Sequence, residues 1–153
     1  NIPAQPKRRA LRALLATALL GLAGLAPAHA AGEEVVMYKD PNCGCCGKWA
    51  EHMREHGFKV KEVATTQMDV VKREARVPQA LGSCHTAKVG GYVVEGHVPA
   101  ADVRRMLGES QPLGHLRARH ADGLAGHEGP YPADRYEVVS FDAEGRTAVF
   151  ARH

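Results

Sequence analysis

Three of the four cysteines in this 153-residue chain stand in one run, Cys43-Gly44-Cys45-Cys46, placed where a strand hands over to a helix. Upstream, Val35-Val36-Met37-Tyr38 reads as a short strand. Downstream, Trp49, Ala50 and Met53 recur at spacings of three and four, one face of a helix from about Cys46 to His56. Unpaired backbone N–H groups and the helix dipole at such a junction favour thiolate over thiol, so these sulfurs are expected to be good nucleophiles or metal ligands. Cys43 and Cys46 have the spacing of a redox pair. Cys45 offers either of them a competing partner, a poor arrangement for a clean two-electron couple. It suits a soft ion such as Cu(I), which prefers several thiolates and can bridge between them.

The elements that follow place this junction in a fold. Gly57 is a helix stop, and Phe58 to Val63 alternates with the period of a half-buried strand. Met68 to Arg76 reads as a short helix closed by Val77-Pro78. Thr86 to Val89 and Tyr92 to Glu95 are strands joined by the tight-turn pair Gly90-Gly91, and a third helix opens near Pro99 and runs through Asp102, Val103, Met106 and Leu107. The order β-α-β-α-β-β-α, with cysteines directly after the first strand, is that of an α/β, thioredoxin-like domain. Residues 109–135 are rich in Gly, Pro, His and Arg, show no period and read as one long His/Gly-rich loop, a length that in a compact domain signals function or disorder. Tyr136 to Phe141 and Thr147 to Ala151 alternate around Asp142-Ala143-Glu144-Gly145, a C-terminal β-hairpin.

In a thioredoxin-like layout the loop before the third strand faces the cysteine-bearing turn. Ser83-Cys84-His85-Thr86 is therefore expected to approach Cys43, Cys45 and Cys46, gathering four sulfurs and the His85 imidazole. The alternative, two structural disulfides, requires vicinal Cys45 and Cys46 both to pair, which is awkward geometrically.

Charge and export are linked. Of the 20 Lys and Arg, four (Lys7, Arg8, Arg9 and Arg12) precede residue 31, where no acid occurs, leaving 16 basic against 17 acidic groups in residues 31–153. That balance supplies no basic patch for nucleic acid or an anionic membrane. Lys7-Arg8-Arg9, the apolar run Ala13 to Ala26 and Pro27-Ala28-His29-Ala30-Ala31 have the three parts of a secretory signal, with cleavage expected after Ala30 and no membrane span afterwards. Residues 1–30 are thus read as the signal peptide and 31–153 as the mature domain, in an oxidising periplasm.

The remaining histidines divide. His52 and His56, four apart on the first helix, lie at or beyond the edge of its apolar face and read as solvent-exposed. His97, in Gly96-His97-Val98-Pro99, either points back to the cysteines or serves a turn. His115, His120 and His127 fall in the long loop, whose composition suits metal capture or a soluble lid. Trp49 and Met53 are core residues.

Met37 to Trp49, Ser83-Cys84-His85-Thr86 and Gly91 to Ala100 together closely resemble the periplasmic copper-resistance proteins of the CopG type. The resemblance covers about residues 34–153. It implies a thioredoxin-like fold with a cysteine-bridged multi-copper cluster on Cys43, Cys45, Cys46 and Cys84 and a part in copper redox handling. Partners would be copper ions and a periplasmic exporter, chaperone or redox protein. Family members often carry methionines in the loop before the final hairpin. Here that stretch reads Arg119-His120-Ala121 and Gly126-His127-Glu128-Gly129, so His120 and His127 stand as candidate replacements, imidazole suiting Cu(II) as well as Cu(I). Zinc, which accepts both Cys and His, is the alternative metal. A thiol-disulfide oxidoreductase using Cys43 and Cys46, with Cys84 as resolving thiol, is the alternative function.

Overall fold

A computed structural model describes residues 32–109, 114–118, 125–126, 129–130 and 132–153. The elements are β1 (Glu34–Lys39), α1 (Gly44–Glu55), β2 (Lys59–Ala64), α2 (Met68–Glu74), a 3-10 turn (Gln79–Leu81), β3 (His85–Val89), β4 (Tyr92–Glu95), α3 (Ala100–Gly108), β5 (His115–Ala118), β6 (Glu137–Phe141) and β7 (Thr147–Arg152). Up to α3 this is the order expected from the sequence. The strands form one sheet in the order β2-β1-β3-β4-β5-β6-β7. β1 runs parallel to β2 and antiparallel to β3, and β4 runs parallel to β5.

The local signals explain the boundaries. Gly57 sits at φ 84°, and the Gly57 and Phe58 N–H groups donate back to the carbonyls of Arg54 and Met53, closing α1 with a left-handed cap. α2 ends in the same way, but the left-handed residue is Arg76 at φ 55°. Gly90 and Gly91 both have positive φ, as a two-residue turn twisted to match its strands requires.

Alternation along the strands separates two apolar layers. On one face, Val35, Met37, Ala87, Val89 and Val94 pack with Trp49, Ala50 and Met53 of α1 and Val103 and Met106 of α3. Val93, whose side chain leaves β4 on the opposite face, clusters with Phe141 and with Ala75 and Val77 at the end of α2. The helices therefore cover both faces. The Trp49 indole N–H donates to the Val98 carbonyl at 2.8 Å, tying α1 to the segment that opens α3.

Residues 109–135 are not wholly irregular as expected. His115–Ala118 forms β5, which bridges β4 and β6 and so merges the C-terminal hairpin into the main sheet. Four residues are too few for a period to show; the strand exists because two neighbouring edges satisfy its backbone groups. His115 is accordingly a strand residue, its Nδ1 accepting the Val93 N–H at 3.0 Å and its ring against Phe141. Among the described residues no helix is long and apolar enough to cross a membrane. The expected signal peptide, His120 and His127 lie outside the described residues.

Candidate metal centre

Cys43 caps α1 in an extended conformation, with Gly44, Cys45 and Cys46 forming the first helical turn. The preceding turn is set by Asp40, whose carbonyl accepts the Cys43 N–H and whose carboxylate accepts the Asn42 N–H. No acidic residue enters the first turn of α1. Cys46 is buried, whereas Cys43, Cys45 and Cys84 are half-buried. All four sulfurs lie within 4.8 Å of one another. The convergence of Cys84 on the cysteine turn, expected from the layout alone, is thus present.

The centre is in an oxidised form. Cys43 and Cys46 are joined in a disulfide, and Cys45 and Cys84 are free. The Cys45 sulfur stands 3.6 Å from that of Cys43. A set of four thiolates therefore requires reduction of that bond. Burial pushes the Cys84 thiol up from its ordinary pKa, with the Ser83 hydroxyl working the other way and Cys45 adding to the rise.

A second group, Cys84, His85 and His97, shares Cys84 and again fits within 4.8 Å. His85 is wholly buried between the Trp49 ring, 4.5 Å away, and the edge of His97, 5.1 Å away. Its Nδ1 is 3.5 Å from the Cys84 sulfur, and its Nε2 makes no hydrogen bond. Burial, followed by the imidazole of His97 and the ammonium of Lys72, drives its pKa far below the usual histidine value, leaving the neutral ring a ligand needs. His97 Nδ1 lies 2.7 Å from the Ala125 carbonyl, which can only accept, so Nδ1 carries the proton and Nε2 the lone pair. A histidine whose second nitrogen donates to a backbone carbonyl is oriented as metal-ligating histidines commonly are. Of its two sequence readings, the one pointing back to the cysteines is realised.

Two described residues from beyond β5, Ala125 and Gly126, pack nearby. Ala125 holds His97, and Gly126, at φ 83°, packs so closely on α1 that a Cβ would lie 2.7 Å from the Trp49 nitrogen. His52 is not the solvated residue expected: it is half-buried, and its Nε2 accepts the Ala100 N–H at 3.1 Å, which satisfies the start of α3 and occupies the nitrogen a metal would need. His56 is exposed, as expected. Sequence reasoning missed Glu95 and Lys72, which form a buried ion pair behind Cys84. A glutamate at the end of an otherwise apolar strand was the available signal.

Comparison with known proteins decides the family. Two solved structures, described as copper resistance protein CopG in forms 1 and 2, each match with a TM-score of 0.74 and 35% identity. The first match covers 79% of this chain and 97% of the CopG chain, the second 80% and 98%. The chain belongs to the CopG family. Residues 81–116 also match a family described as "Protein of unknown function, DUF411", and no curated sequence matches significantly. In this CopG-family chain the stretch matching DUF411 carries Cys84, His85 and His97, the nitrogen-bearing side of the centre.

Proposed function

We propose that the protein is exported to the periplasm and, once reduced, binds Cu(I) on Cys43, Cys45, Cys46 and Cys84, with His85 and His97 adjoining. The observation that carries this reading is the meeting of four sulfurs from two distant segments within 4.8 Å. Soft thiolates shared between ions suit Cu(I), and the buried imidazoles add donors that also serve Cu(II). His120 and His127 are proposed as further nitrogen donors to that set. Binding, interconversion of the two copper states and delivery to an exporter or chaperone are the uses open to such a centre.

Titration of the reduced, metal-free protein with Cu(I) against a competing chelator tests it. Each of Cys43→Ser, Cys45→Ser, Cys46→Ser and Cys84→Ser is expected to lower the copper stoichiometry, because losing a bridging sulfur disturbs neighbouring ions. Cys45→Ser binding as much copper as the parent would sink the cluster. Elemental analysis of protein isolated without added metal separates copper from zinc. The disulfide between Cys43 and Cys46 favours a second reading, thiol-disulfide exchange. Its mark is insulin reduction by the metal-free protein that survives Cys45→Ser and is lost in Cys43→Ser.

A further inference from the structure

We infer that the Lys72–Glu95 pair is a positioning device that holds Cys84 and His85 in place from the far side of the sheet. The inference rests on the copper reading above. Glu95 ends β4 opposite Thr86 of β3, and its side chain is wholly buried on the α2 face. Its Oε2 accepts the Lys72 ammonium at 2.8 Å and the Ser83 backbone N–H at 2.8 Å. The same ammonium donates to the Thr86 hydroxyl at 2.9 Å. Next along the chain, the Gly96 N–H donates to the His85 carbonyl at 3.2 Å. Gly96 also allows a close approach: at φ 71°, a Cβ would lie 2.4 Å from the Ser83 hydroxyl oxygen. Residues 83, 85 and 86 are thus fixed by groups from α2 and the end of β4. Cys84 lies between those fixings and His85 is one of them, and their side chains meet the other sulfurs and His97.

Stability alone does not account for this arrangement. Glu95 is fully buried and Lys72 largely so, and removing two charges from water costs about as much as their attraction returns. An apolar pair of similar shape would pack between α2 and the sheet as well. What an apolar pair lacks is direction: a carboxylate oxygen can hold the Ser83 N–H, which starts the segment carrying Cys84. Burial raises the Glu95 pKa, while Lys72, Thr86 and Ser83 pull it back toward the ionised form. Supporting groups of this kind typically change metal affinity by about 10–100-fold when removed.

The test uses the full chain, reduced and metal-free. Variants are the double variant Lys72→Met/Glu95→Leu, which replaces the pair with apolar packing and removes the acceptor of the Ser83 N–H, and Glu95→Gln, whose amide oxygen can still accept it. Both are expected to keep the parent's circular dichroism; the double variant should bind Cu(I) about 10–100-fold more weakly by chelator competition, and Glu95→Gln should stay closer to the parent. Introduced into a Cys84→Ser background, the double variant should cause only the smaller further loss carried by His85; in a Cys45→Ser background its full loss should persist. A full-sized loss in the Cys84→Ser background, or unchanged affinity in the folded double variant, overturns the inference. Alkylation with iodoacetamide, read by mass spectrometry, gives a copper-independent arm: Cys84 should react severalfold faster in the double variant while Cys45 does not change. If the parent binds no Cu(I), the copper reading fails, and the alkylation arm alone decides positioning, with unaltered Cys84 reactivity counting against it.

Discussion

Two residues outside the metal centre carry backbone or protonation constraints that a single substitution can expose. His115 accepts the Val93 N–H through Nδ1, so protonation would set two donors against each other across the β4–β5 junction. Burial lowers its pKa, with Asp142 opposing. Below the unfolded value of about 6.5 the unfolded chain therefore binds a proton that the folded chain resists, and stability rises with pH. The stabilising share of His115 is expected to be complete above about 6.5 and to be lost as pH falls through its lower folded value. Urea unfolding of the parent and His115→Gln across pH 5 to 8 checks this, and equal pH slopes would count against it. Arg76 is exposed at a left-handed φ that glycine adopts without steric cost. Arg76→Gly is expected to stabilise by about 0.5–1 kcal/mol, read as a higher urea midpoint, although glycine gives back some unfolded-state entropy. A lower midpoint would mean that the arginine side chain contributes more than its backbone costs.

At the scale of elements, α1 carries both the cysteine turn and the central core face. Trp49, Ala50 and Met53 are fully buried, while Glu51 on the same helix is exposed. Met53→Ala should therefore cost about 2–5 kcal/mol, and Glu51→Ala less than about 0.5 kcal/mol, in chemical denaturation. Near-equal effects would show that the helix is not anchored by this face. α1, the Gly57 stop and the Gly90-Gly91 turn were all legible because each depends on residues a few positions apart. β5 was not: Leu116 and Ala118 are buried and His115 and Arg117 half-buried, but one alternation in four residues carries no distinguishable period. The role of His52 was hidden for a related reason. Its position at the edge of the α1 face was read correctly, but the Ala100 N–H that it satisfies belongs to a helix start nearly fifty residues on.

For the molecule as a whole, residues 1–30 are proposed to be removed on export. Expression with periplasmic fractionation and N-terminal sequencing should find a mature chain starting at Ala31, and a soluble protein retaining those residues would overturn the export reading. The sequence by itself determined the order of elements up to α3, the cysteine turn at the head of α1 and the type of donor available, since periodicity, caps and turn residues act within a few positions. It also implied that Cys84 would return to that turn, because a loop before the third strand in this order lies across from the first. Only the tertiary structure decided which nitrogens join the sulfurs. His97 enters because Ala125, from beyond β5, fixes its tautomer, and His52 is withdrawn because α3 uses its free nitrogen. The Lys72–Glu95 clamp likewise required α2 and β4 to meet through the sheet. Each of these outcomes depends on a partner supplied by non-local packing, and no local pattern in the chain specifies such a partner.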